Sequence, residues 1–294
     1  MDEVARFLSK VLDEPQLQIL HRHSIGGGCI AQAMRLELSN GESCFAKFLD
    51  SSSGQNVFEI EAEGLRALAD TKALRVPRVL GHTQLASGQR ALLLEWIGQK
   101  SVGQLDFGKF GSQLAQMHLK DAEPSYGWHQ DNFLGSNPQS NTISTNWLDF
   151  FAQQRLGFQL SLARQHALGT SELYRCVDRL CERLDRILGK ETPHASLLHG
   201  DLWSGNFLAD SKGNAVLIDP AVYRGHREAE LAMPLIFGGF PQQFFDSYNE
   251  SWPLDAGWRE RVEIYKLYHY LNHLNLFGST YLSNCLTIAR RFGS

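Results

Sequence analysis

The chain has 294 residues, about twice what one ordinary domain needs, so a large core and two lobes are expected. Its 28 Lys and Arg against 32 Asp and Glu leave a net charge of −4, with 43% hydrophobic and 20% charged residues. That balance is globular and lacks the basic excess that general nucleic-acid binding requires.

The apolar runs at 91–96, with Glu95 inside, and 215–218 fall far short of the ~20 residues of a membrane span, and Met1-Asp2-Glu3 lacks the positive region of a signal peptide. Cys29, Cys44, Cys176, Cys181 and Cys285 form no C-x-x-C pair, which fits a cytoplasmic location better than a disulfide framework or a zinc site. Val4, Phe7, Leu8, Val11 and Leu12 have the spacing of an amphipathic helix. Strand-like pieces follow at 16–21, 33–38, 43–48, 79–82 and 91–96, and Asn40-Gly41 predicts a hairpin because both residues tolerate positive φ. Between them, 57–70 reads as a helix with Phe58, Ala62, Leu65 and Leu68 on one face, and Pro77 forbids its continuation. Beyond Gly98 the pattern turns helical, at 110–119, 147–165 and 172–188. The Gly-, Pro-, Ser- and Asn-rich stretch 120–146 reads as a long irregular loop, the kind that is often functional. A short strand pair at 197–198 and 215–218 interrupts the helices, and three more helices follow. A strand-rich lobe over 1–97 joined to a larger helical lobe over 98–294, with a cleft between, is an α+β architecture.

The densest chemical signal is His199-Gly200-Asp201-Leu202-Trp203-Ser204-Gly205-Asn206, whose His-x-Asp, four residues, Asn spacing is that of a kinase catalytic loop. There the aspartate takes or orients the proton of an acceptor hydroxyl and the asparagine holds magnesium. Asp219 ends the apolar run 215–218 and supplies a carboxylate of the kind Mg²⁺ takes alongside phosphate oxygens. Lys47 sits inside a strand-like run, where a charge needs a partner. Of Glu59, Glu61 and Glu63 on the next helix, Glu61 lies beside Phe58, Leu65 and Leu68 on the apolar side and is the expected partner. Gly26-Gly27-Gly28 precedes that lysine and suits a backbone cradle for phosphates, although a bare turn would look the same. Glu95-Trp96-Ile97 ends the last strand of the first lobe, where backbone groups would meet an adenine.

Together these residues resemble the protein-kinase-like small-molecule phosphotransferases, and more closely the fructosamine (ketosamine) kinase family. The resemblance runs over nearly the whole chain: Gly28-Cys29-Ile30, Asp131–Gly135 with Pro138-Gln139 and Asn141, 147–151 with Gln154-Arg155, 225–233, 237–240 and 268–275. It implies a bilobal protein-kinase-like fold with an ATP cleft, and use of ATP and Mg²⁺. Asp201 would be the proton acceptor, Asn206 and Asp219 metal ligands, Lys47 and Glu61 the phosphate-positioning pair, and Glu95–Ile97 the hinge. Trp128, Asn132, Phe151, His269 and His273 would face the acceptor. A carboxylate would brace the catalytic loop at Glu230, where the family often has aspartate. The implied reaction phosphorylates the carbon-3 hydroxyl of a ketosamine, free or on a protein lysine, and so leads to deglycation. The alternatives are a kinase of another small alcohol (aminoglycoside, choline or homoserine type) and a non-catalytic nucleotide-binding module. His269 and His273 share a helix face, as zinc ligands can, but without the glutamate of H-E-x-x-H they read better as pocket or core histidines.

Overall fold

The structure is a computed structural model that describes residues 2–26, 31–50, 56–120, 123–189 and 193–294. They gather into two compact units, Met1–Asp106 with Phe207–Asp219, and Phe107–Asn206 with Pro220–Ser294.

In the first unit, helix α1 (Glu3–Val11) begins where the Asp2 carboxylate accepts the Val4 N–H at 3.1 Å, an N-cap bond that satisfies one of the helix's orphan donors. Strands β1 (Ile19–Ile25), β2 (Gln32–Leu38) and β3 (Ser43–Leu49) precede helix α2 (Val57–Asp70), and β4 (Val79–Gln84) and β5 (Arg90–Glu95) follow it. The five strands form one antiparallel sheet in the order β1-β2-β3-β5-β4. The β2–β3 hairpin turns where the sequence places it: Gly41 has φ +84° and the Asn40 carboxamide oxygen accepts the Glu42 N–H at 2.9 Å. One side of the sheet carries the core, with Leu36, Leu38, Cys44, Ala46, Phe48 and Leu93 packed on Val4 and Leu8 of α1. Strand β1 starts three residues later than expected; as an edge strand with five exposed residues in its middle, it carries little hydrophobic alternation to read.

Phe207–Asp210 and Ala215–Leu217 form an antiparallel hairpin within this unit, and Gln99–Lys100 pairs along its other edge. The unit therefore takes in 98–106 and 207–219, which a division after residue 97 assigns to the other part of the chain. Pairing across more than a hundred residues leaves no trace in local periodicity.

The second unit is mainly helical. Within the stretch read as irregular, Asn132–Leu134 and Asn137–Gln139 make a small hairpin. The helix expected over 147–165 is present but not uniform: Phe151–Gly157 winds as a π-helix between Trp147–Phe150 and Phe158–Gln165. The helix expected over 172–188 is broken into Ser171–Cys181 and Leu184–Leu188, because Arg183 leaves helical geometry at φ −124°. Ala195–Leu198 pairs with Tyr223–His226, and not with the 215–218 segment as expected. Those two segments lie in different sheets and different units, and apolar runs alone carry no information about partner or register. After His226 the described residues hold five α-helices where three were expected, since Arg227–Glu230 and Ala232–Phe237 are too short to show a period. The longest is Trp258–Phe277, 20 residues.

Candidate active site

In the first unit the site is built around Lys47. Successive side chains of a strand point to opposite faces, so with Cys44, Ala46 and Phe48 in the core, Lys47 faces the other way. Its ammonium donates to Glu61 Oε1 at 2.7 Å and to Asp219 Oδ1 at 2.6 Å. Lys47 and Glu61 side chains are each 12% exposed, whereas Asp219 is 46% exposed. Burial disfavours the charged amine, but the two carboxylates outweigh it and hold the lysine above its ordinary range. Burial, with Asp219 adding to it, raises the Glu61 carboxyl against the pull of Lys47. Asp219 has φ +55°, a left-handed conformation that costs a non-glycine residue about 1 kcal/mol or more and is found where surrounding structure enforces it.

At the end of β5 the Glu95 carboxylate accepts from Arg75 Nη2 at 2.6 Å and from the Arg78 N–H at 3.1 Å. Trp96 lies under the Arg35 guanidinium at 5.0 Å, and Ile97 is buried. Gly26 is exposed, and among the described residues nothing lies within 4 Å of where its Cβ would be. Gly27, Gly28 and Cys29 lie outside the described residues.

In the second unit Asn206 Nδ2 donates to Asp201 twice, to the backbone oxygen at 2.8 Å and to the carboxylate at 2.9 Å. The Asp201 N–H donates to His199 Nδ1 at 3.3 Å. Behind this loop the buried Glu230 carboxylate accepts the N–H groups of His199 and Gly200, the latter at 3.0 Å, so a glutamate braces the loop backbone. His118 Nε2 is 3.6 Å from the same carboxylate, and burial lowers the His118 pKa. Gly200 is at φ +84°, and a Cβ there would lie 2.0 Å from the Ala221 carbonyl oxygen, so only glycine fits.

Most of the residues expected to face an acceptor are buried and have partners within the fold. Phe151 is fully buried, edge-on to Tyr265 and stacked on Trp147. Asn132 is 2% exposed and spends its amide within the fold, donating to Val222 O at 2.7 Å and accepting from Gln139 Nε2 at 2.7 Å. Trp128 is 8% exposed beneath Arg224. Burial, with the charges of His273 and Arg155, lowers the His269 pKa to about 3, so its ring is neutral at physiological pH. All four side chains are thus packed or bonded within the fold, as large aromatics and buried amides commonly are. His273 is half-buried, its Nδ1 on the His269 carbonyl at 2.8 Å and its ring between Phe237, Phe277 and Tyr281.

Two residues within the blocks that carry the resemblance had no role assigned from the sequence. Arg155, on the π-helical turn, is fully buried with its guanidinium 3.9 Å from the centre of the Tyr223 ring, bonded to Ser140 O and to Asn141 Oδ1. Gln139 joins Asn132, the Ala221 carbonyl and the Tyr268 hydroxyl. A Pro-Gln-x-Asn block and a Gln-Arg pair are visible in the sequence, but nothing in their spacing says that they meet.

Residues 1–292 match the family described as fructosamine kinase. The chain is 38% identical over 292 residues to a protein of Synechocystis named as a ketoamine kinase, covering 97% of this chain and 96% of that one. It is 41% identical over 266 residues to a chloroplastic protein-ribulosamine 3-kinase of Oryza sativa, covering 90% and 76%. A solved structure described as a fructosamine-3-kinase of Thermobifida fusca superposes with a TM-score of 0.87 at 33% identity, covering 99% and 98%. An aminoglycoside phosphotransferase in a ternary complex with AMP-PNP and hygromycin B superposes at 0.66 with 14% identity over 98% of both chains, a likeness of fold alone. The chain belongs to the fructosamine kinase family, and its fold is that of the kinase-like phosphotransferases.

Proposed function

We propose that this protein transfers the γ-phosphoryl group of ATP to the carbon-3 hydroxyl of a ketosamine, a sugar joined to an amine, and so starts the release of that amine. The observation that carries the reading is Lys47 held between Glu61 and Asp219, the arrangement that aims one cation at nucleotide phosphates and one half-exposed carboxylate at a divalent metal. Hard oxygen donors suit magnesium, and the Asp219 carboxylate and the Asn206 amide oxygen are the groups that would hold it. When bound, magnesium neutralises charge on the triphosphate.

Lys47 then contacts the α- and β-phosphates, with Glu61 fixing its direction. The Gly26-Gly27-Gly28 sequence suits the phosphates, and the backbone of Glu95, Trp96 and Ile97 meets the adenine. Asp201, fixed by Asn206 and by the loop backbone that Glu230 holds, accepts the proton of the attacking hydroxyl. The hydroxyl oxygen forms a bond to the γ-phosphorus, the bond to the β–γ bridging oxygen breaks, and ADP departs. Positioning and charge neutralisation supply most of the acceleration. The acceptor is a small ketosamine or a glycated lysine on a protein, and His273 is the half-buried member of the residues expected to face it. A reducing compartment such as the cytoplasm suits the free, buried Cys44 and Cys285, whose thiols burial pushes up to about 12.

The test is ATP consumption by the purified chain with magnesium and a panel of ribulose- and fructose-amines, aminoglycosides, choline and homoserine. Turnover on ketosamines is expected; turnover on another alcohol alone overturns the acceptor. Nucleotide binding with no transfer to any acceptor replaces the enzyme with a binding module.

A further inference from the structure

Arg75 lies just before Pro77 in the segment between α2 and β4, and its guanidinium forks between two acids that the sequence keeps far apart. Nη2 donates to Glu95 Oε1 at 2.6 Å and Nη1 to Asp210 Oδ2 at 2.9 Å. Its backbone joins in: the Arg75 carbonyl accepts the Leu217 N–H at 2.9 Å, two residues before Asp219. Asp210 is a rigid anchor. Its side chain is 5% exposed, and its Oδ1 accepts the Lys212 and Asn214 N–H groups at 2.8 and 2.9 Å. Burial would raise the Asp210 carboxyl, but these donors and Arg75 outweigh it and hold its pKa at about 2. Glu95 is gripped on its second oxygen by the Arg78 N–H. One side chain thus ties the end of β5 to the hairpin that carries Asp219.

We infer that Arg75 is a positioning residue for the nucleotide, fixing the separation between the strand end at Glu95–Ile97 and the carboxylate of Asp219. The inference rests on the proposed nucleotide site and adds to it. The Glu95 carboxylate is occupied within the fold, so this strand end offers adenine its backbone and not its side chain. The fork needs two donors in one plane, which arginine has and lysine lacks.

The test is calorimetric binding of ATP with magnesium to the full chain and to Arg75→Met, Arg75→Lys, Glu95→Gln and the Arg75→Met/Glu95→Gln double variant. A charged, partly exposed bridge of this kind should weaken ATP binding about fivefold when Arg75 is lost. Lysine should restore little of it, and the double variant should bind no worse than Arg75→Met, because both substitutions break the same link. The ketosamine KM should stay within about twofold, since a readout confined to the nucleotide separates positioning from general loosening of the fold. Wild-type ATP affinity in a cooperatively melting Arg75→Met, or effects of the two substitutions that multiply, overturns the inference. Should Arg75→Met fail to fold, unchanged ATP affinity in Glu95→Gln does the same. A wild-type chain that binds no ATP overturns the nucleotide site along with it, whereas ATP binding without ketosamine turnover removes the acceptor reading alone.

Discussion

Replacing Lys47 with methionine strips the cation from between two carboxylates and leaves Glu61, 12% exposed, facing Asp219 without it. Removing one partner of a buried ion pair costs roughly 3–5 kcal/mol when the orphaned charge stays ionised. Two features reduce that figure here. Asp219 is 46% exposed and screened by solvent, and Glu61 can take up a proton, which its burial already favours. About 2 kcal/mol at pH 8 is the resulting expectation, or a fall in Tm of about 4–8 °C. The sign of the pH dependence follows from Glu61. Burial and Asp219 raise its pKa and Lys47 opposes them, so deleting Lys47 raises it further. The folded variant then holds a proton that the unfolded chain releases near its ordinary value, and stability falls as pH rises through the raised pKa. Thermal melts of wild type and Lys47→Met should therefore differ little at pH 5 and most at pH 8, and adding Glu61→Gln should close most of the gap. An equal deficit at both pH values, or no recovery in the double variant, refutes the electrostatic reasoning.

Asp201→Asn should lower kcat by about 10²–10⁴-fold while calorimetric ATP affinity stays that of wild type, because a proton acceptor is lost and no phosphate contact is touched. Gly200→Ala should collapse turnover, since the added Cβ would sit 2.0 Å from the Ala221 carbonyl at a φ of +84°; wild-type kcat in a folded variant contradicts the packing described. Glu230→Gln presents an amide nitrogen to one of two backbone N–H donors and should cost about 1–3 kcal/mol in denaturant unfolding, together with a loss in kcat.

How far the site was legible depends on where its parts sit in the chain. The choice of Glu61 over Glu59 and Glu63 needed only helical angles, and the contact to Lys47 at 2.7 Å agrees with it. The catalytic loop reads directly because its bonds are local, Asn206 reaching back five residues to Asp201. Strand partnership did not read. The apolar runs 197–198 and 215–218 look like a pair, yet the first joins Tyr223–His226, some 25 residues on, and the second closes a local hairpin with Phe207–Asp210. The π-helical turn is a single seven-residue segment inside a longer helical pattern, too short to show a period of its own, and Arg155, a charged residue, gave no sign of its burial. The packing of the acceptor-side residues was not legible either. Phe151, Asn132 and Trp128 are packed or bonded within the fold, which the run of aromatic and amide residues in the sequence does not show. Arg75 gave no signal because its two partners are 20 and 135 residues away.

The most direct test is to incubate the chain with magnesium, ATP and ribulose-lysine or fructose-lysine, and to locate the phosphate on the isolated product by phosphorus–proton correlation NMR. A phosphorus coupled to the proton on carbon 3 of the sugar, followed by slow appearance of free lysine, is the predicted result. Phosphate on any other position, or a ketosamine recovered unphosphorylated by a chain that turns over ATP on a different alcohol, contradicts it.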